Sequence, residues 1–85
     1  MQIRHARPTP ANFLLGRRVA ILGLDLDAIA GCGSEFFAAI KRRCRRCDFR
    51  RACAADLRRD PNNPVWESYC PNSVQLIAVT RLLTD

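Results

Sequence analysis

Apolar positions along this chain fall in short clusters separated by prolines, glycines and charged runs. They nowhere alternate with period two, so the pattern predicts helices and no strands. Residues 1–11 carry two prolines and three basic groups without an apolar period and are expected to form a flexible arm. The run from Phe13 to Leu22 is apolar on most sides apart from Arg17 and Arg18. Asn12 is placed to cap it and Gly23 to end it, and so apolar a helix suits a buried or partner-covered position.

Asp25 can cap a short second helix reaching Ile29, which ends in the Gly31-Cys32-Gly33 break, and Ser34 can cap a third. At about 100° per residue from Ile40, Cys44 falls at about 40° and Cys47 at about 340°. All three therefore share one face, which Phe36 and Phe37 extend, while Lys41, Arg42, Arg45 and Arg46 fan over the opposite side. After a turn around Asp48, a fourth helix starts near Arg50 or Arg51 and runs to Arg59. The DPNNP stretch, Asp60 to Pro64, stops it.

Val65, Trp66 and Tyr69 bring apolar bulk up to Cys70. Asn72 then caps a last helix from Ser73 to Leu83, whose apolar residues cover most of its circumference and point to a homodimer through this helix. The fold expected is all-α: a small bundle of four to five short helices, one domain over residues 12–85, around a four-cysteine metal site.

Length sharpens the metal expectation. A chain of 85 residues buries only about two-thirds of its unfolded surface, so a metal, disulfides or association would help it fold. Five cysteines is an odd number, and without an export signal the expected compartment is the reducing cytoplasm, where thiols bind metals or do redox chemistry. Arg17-Arg18, the run VAILGL and Ala28-Ile29-Ala30 imitate a twin-arginine export signal. Asp25 and Asp27 interrupt it, and the six-residue apolar run is too short for a membrane span.

Charge is concentrated where the cysteines are. Residues 41–59 hold nine Lys/Arg against Asp48 and Asp56, a net +7, whereas the rest of the chain, with five Lys/Arg and six acids, is −1. A field of that sign attracts an acidic protein partner, phosphate or an anionic inorganic centre.

The cysteine spacing is Cys44-x2-Cys47-x5-Cys53-x16-Cys70-Pro71, with Cys32 outside it. Soft thiolates in this number serve either tetrahedral zinc or a [4Fe-4S] cluster. Structural zinc sites usually take two close pairs of ligands; three clustered cysteines with a remote Cys-Pro is closer to iron–sulfur usage. The expected ligands are thus Cys44, Cys47, Cys53 and Cys70 on a [4Fe-4S] cluster, with zinc the alternative. Cys53 and Cys70 near helix starts are expected to have lowered thiol pKa values. Cys32, between two glycines, is an ordinary thiol or a spare ligand or redox partner.

The C-x2-C-x5-C portion resembles the run in the oxygen-sensing fumarate and nitrate reduction regulators and in the helix-hairpin-helix DNA glycosylases, both of which bind [4Fe-4S]. Over a longer stretch, FLLGRRVAILGLDL, RCRRCDFRRACAADL and YCPNSVQLIAVTRLL resemble a small alphaproteobacterial family classed only as a domain of unknown function. Its members show a leading helix ending in L-G-x-D-L, then R-C-x-x-C, a third cysteine before a hydrophobic helix, and a late C-x-N. The likeness spans Phe13 to Leu83 and implies that Cys44, Cys47, Cys53 and Cys70 are the shared cysteines. The chain departs from it at Ala55-Asp56-Leu57, where Trp-Leu is usual, and at Pro71, where a basic residue is usual.

Three functions are expected to compete. The first is a small iron–sulfur protein acting in redox or oxygen/iron sensing or electron transfer, which docks an acidic partner through Lys41, Arg42, Arg45, Arg46, Arg50 and Arg51. The second is a zinc- or cluster-stapled nucleic-acid-binding module using the same cations on phosphates. The third is a metal-stabilised structural adaptor. An enzyme is not expected: His5, the single histidine, lies in the arm, and no paired carboxylates, nucleophile elbow or phosphate loop is visible.

Overall fold

A computed structural model of the chain describes residues 10–84; the first nine positions of the expected arm, His5 among them, lie outside the described residues. Five α-helices and one 3₁₀ turn follow in order: α1 (Ala11–Ile21), α2 (Leu26–Ala30), α3 (Ser34–Arg45), α4 (Arg50–Arg59), the turn Pro64–Ser68, and α5 (Ser73–Thr84). No strand occurs among the described residues, so the all-helical expectation holds.

The start of α1 differs from the expectation. It begins at Ala11, which is buried, after an extended Pro10 with no side-chain cap, and the Pro10 carbonyl accepts from the Leu14 N–H. Proline already has a helix-compatible φ and lacks a donor that would need a partner, so the helix starts one turn position before Asn12 can cap it. Its end is the one expected. Gly23 has φ 84°, Leu24 N–H returns to the Val19 carbonyl at 2.9 Å, and Gly23 N–H to Ala20 at 3.0 Å. This reciprocal pair is the Schellman arrangement, and it packs Leu24 back onto the core beside Val19.

Nothing lies within 4 Å of where a Gly23 Cβ would stand, so only the backbone opposes a side chain there. Gly23→Ala is accordingly expected to lower stability by about 1–2 kcal/mol, the cost of a left-handed L-residue. A chemical denaturation midpoint unchanged from wild type would contradict that role for Gly23.

Asp25 caps α2 as expected, its carboxylate accepting from the Ala28 N–H at 2.8 Å. Ser34 does not cap α3. Gly33, at φ 131°, occupies the capping position, and Ser34 is the first helical residue. The Phe37 N–H bonds to the Gly33 carbonyl, so the backbone turn itself closes the helix start.

Leu15, Val19, Ile29, Ile40, Trp66, Leu76 and Val79 form the buried core, flanked by half-buried Phe36, Phe37, Cys44, Tyr69 and Cys70. α1 lies at its centre, touching α2, α3 and α4, while α5 packs on the 3₁₀ turn. That placement brings the C-terminal end of α3, the first turns of α4 and the approach to α5 around one flank of α1.

Candidate cysteine cavity

Five separate segments meet at that flank. α1 contributes Leu14, Leu15 and Arg18; α3 contributes Cys44; the α3–α4 turn contributes Cys47; α4 contributes Arg50 and Cys53. The segment leading into α5 adds Tyr69, Cys70, Pro71 and Asn72, and Leu76 closes the floor. All four spaced cysteines therefore line one cavity of ≈ 20 Å³, room for about one water molecule. No carboxylate and no histidine is among its lining residues.

The sulfurs are free thiols, and among the described residues no group of three or more His, Cys, Asp or Glu is gathered to hold an ion, so the expected four-cysteine metal site is not formed as such. Their mutual proximity shows in the electrostatics. Burial first, then Cys70, Cys53 and Cys47 in turn, push the Cys44 thiol up to about 11, against a small opposing pull from Arg50. Burial likewise raises Cys70, the backbone N–H of Asn72 acting against it. The lowered thiol pKa expected of Cys70 is thus corrected: a dipole at a helix approach is outweighed by desolvation of the sulfur.

Polar donors reach three of the four sulfurs. Phe49 N–H donates to Cys47 Sγ at 3.3 Å, the Asn72 backbone N–H serves Cys70, and Arg18 Nη2 donates to Cys53 Sγ at 3.1 Å. The fourth, Cys44, donates its own S–H to the Ala11 carbonyl at 3.4 Å. Cys32 stands apart: exposed, outside the cavity lining, its thiol 3.5 Å from the Ala28 carbonyl.

Several expected positions shift. Cys47 is not on a helical face, because α3 ends at Arg45; the Cys47 N–H turns back to the Cys44 carbonyl, and the turn delivers its side chain to the same cavity by another route. Five cations crowd Lys41–Arg46, and like charges four positions apart, such as Lys41 with Arg45 and Arg42 with Arg46, disfavour further helical turns. Arg50, expected among the docking cations, lines the cavity, whereas Arg42, Arg45, Arg46 and Arg51 are exposed and Lys41 lies over the Phe37 ring at 4.4 Å. Asn72 does not spend its side chain on α5. It is 1% exposed, donates Nδ2 to the Ile40 carbonyl at 2.9 Å, and accepts from Arg43 Nη1 at 3.4 Å.

The residue that sequence reasoning missed is Arg18. It is 2% exposed and its guanidinium carbon lies 5.1 Å from the Trp66 ring centroid. The signal was present: Arg18 follows Leu14 by four positions and Leu15 by three, so it falls within the apolar stripe of α1 rather than beside it.

Beside the cavity lies a more open groove of ≈ 300 Å³, lined by Arg43, Arg46, Asp48, Phe49 and Tyr69, with Cys47 in the wall between the two. Phe49 and Tyr69 stack with ring centroids 5.5 Å apart, and the Tyr69 hydroxyl donates to Asp56 at 2.6 Å.

No family model matches this chain, and neither does any curated protein or solved structure.

The raised thiols give the metal-free protein a definite pH response. Cys44 keeps its proton up to about pH 11 when folded, against an ordinary value of 9.0. Between those values the unfolded chain binds fewer protons than the folded one, so stability falls as pH rises. Urea midpoints of the reduced, metal-free protein are expected to decline from pH 9 upward; a rise over that interval would contradict the burial of Cys44.

Proposed function

We propose that this chain is a small iron–sulfur protein in which Cys44, Cys47, Cys53 and Cys70 hold a [4Fe-4S] cluster, and that it serves electron transfer or redox sensing with an acidic protein partner. The observation that carries this reading is the meeting of these four cysteines, from four chain segments, around one cavity whose lining contains no carboxylate. Such a cluster supplies a one-electron couple at a potential set by its surroundings.

The cysteine spacing favours a cluster over a single zinc ion. Zinc needs its four sulfurs about 2.3 Å from one point, whereas a cluster gives each thiolate its own iron. Three clustered cysteines with a remote Cys70-Pro71 suit the second arrangement better. The N–H donors at Cys47, Cys53 and Cys70 are also the kind of contact that stabilises thiolate charge and tunes a cluster. The protein's part is to hold the ligands, keep water away with Leu14, Leu15 and Leu76, and present Cys47 at the groove where Arg43 and Arg46 meet a partner's carboxylates.

Anaerobic purification tests the reading: it expects a brown protein carrying iron and acid-labile sulfide in equal amounts. A colourless, folded protein with one zinc per chain would replace it by the zinc alternative.

A second reading, the structural adaptor, draws on α5. Val74 and Leu82 are 75% and 76% exposed on a helix whose Leu76 and Val79 are buried, leaving an apolar strip on its outer side. Sedimentation separates this reading, since a monomer at all concentrations removes it.

A further inference from the structure

We infer that Arg18 is the buried counter-charge of the cysteine cavity and commits that cavity to an anionic metal–thiolate centre. The inference rests on the reading of the four cysteines as ligands and adds to it the sign of what they hold.

Two adjacent arginines on α1 have opposite fates. Arg17 is exposed, over the Phe13 ring at 5.9 Å. Arg18 is 2% exposed and lines the cavity. A guanidinium stays protonated at any ordinary pH and has five N–H donors to satisfy. Here Nη2 has only the Cys53 sulfur at 3.1 Å, the Trp66 ring covers one face, and Nε and Nη1 have no partner among the described residues. A neutral thiol is a weak acceptor, and a cation shut away from water without an anion is strongly unfavourable. Arg50, the other cation of the lining, adds to the same sign, and no lining carboxylate offsets either. Deprotonating the quartet around a metal centre supplies the missing negative charge where these donors stand, because four thiolates leave either a zinc ion or a [4Fe-4S] cluster as a net anion.

A burden in the thiol form thus becomes an asset in the loaded form, and the same substitution must have opposite effects in the two. The experiment compares wild type, Arg18→Met and Arg18→Lys by thermal unfolding, each stripped and reduced, and each after reconstitution with iron and sulfide or with zinc, loading being measured first. Arg18→Met is expected to raise the melting temperature of the stripped protein by about 5 °C and to lower that of the loaded protein below wild type. Arg18→Lys, which keeps the charge, is expected to stay nearer wild type when loaded. In the iron-loaded protein, Arg18→Met should also favour the oxidised state about tenfold, a potential more negative by about 59 mV for one electron. Loaded wild type and Arg18→Met with equal melting temperatures and equal potentials would overturn the inference while leaving the ligand reading intact. A wild-type protein that takes up neither iron and sulfide nor zinc would overturn both.

Discussion

Serine in place of Cys44, Cys47, Cys53 or Cys70 is expected to reduce iron bound after anaerobic reconstitution by at least tenfold, while Cys32→Ser leaves it at the wild-type level. The oxygen of serine keeps the side-chain connectivity but is smaller than sulfur and a hard, weakly acidic donor, and the metals in question select soft thiolate. Contacts outside the ligand set already cost about 10–100-fold when removed from metal sites, so loss of a ligand should cost no less. The four thiols line one cavity, whereas Cys32 is exposed in the turn after α2 and does not line it. In the stripped protein the same changes are expected to be mild, below about 1.5 kcal/mol, because a hydroxyl can take over the small polar contacts of a thiol. Mild apo effects with large effects on loading distinguish ligands from ordinary core cysteines. If Cys32→Ser cost as much iron as Cys44→Ser, or if one of the four could be replaced without loss, the ligand set proposed here would be wrong.

Asn72→Ala is expected to cost about 1–3 kcal/mol in the metal-free protein, with a further loss of cluster retention. Its amide is buried and bonded on both sides, Nδ2 to the Ile40 carbonyl and Oδ1 from Arg43. Truncation leaves buried polar groups short of a partner and opens space beside Leu76. The position also ties two ligands together. Asn72 follows Cys70 by two residues and grips α3 one turn before Cys44, so the distance between those sulfurs depends on this bridge. Denaturation midpoints give the first effect, and the rate of iron loss to a chelator gives the second. A midpoint within about 0.5 kcal/mol of wild type would show that the buried bridge is dispensable.

Features written in local chemistry were legible in the sequence. Gly23 ends α1, Asp25 caps α2, and the proline-rich DPNNP stretch ends α4 at Arg59, each because a residue type fits a backbone need within a few positions. Cys44, Cys47, Cys53 and Cys70, which the spacing singled out, line one cavity, and Cys32, which it set aside, does not.

What local chemistry did not reveal was decided by partners far along the chain. Asn72 has the composition of a cap, and only the approach of Ile40, 32 residues earlier, turns it into a strut. Arg18 has the composition of a surface residue, and the placement of α1 at the centre of the molecule buries it against Cys53 and Trp66. Cys47 reads as helical until charge crowding over Lys41–Arg46 and the turn at Asp48 end α3 two residues before it. In each case periodicity identified the face, and packing decided what the face met.

Native mass spectrometry of the protein purified without oxygen tests the central claim most directly, because it weighs what the four sulfurs hold while the fold is intact. The account predicts one species per chain heavier than the polypeptide by four irons and four sulfides, with that addition lost in the Cys70→Ser protein. The bare polypeptide mass in folded wild-type protein, or a mass two hydrogens lighter from a disulfide within the quartet, would contradict it.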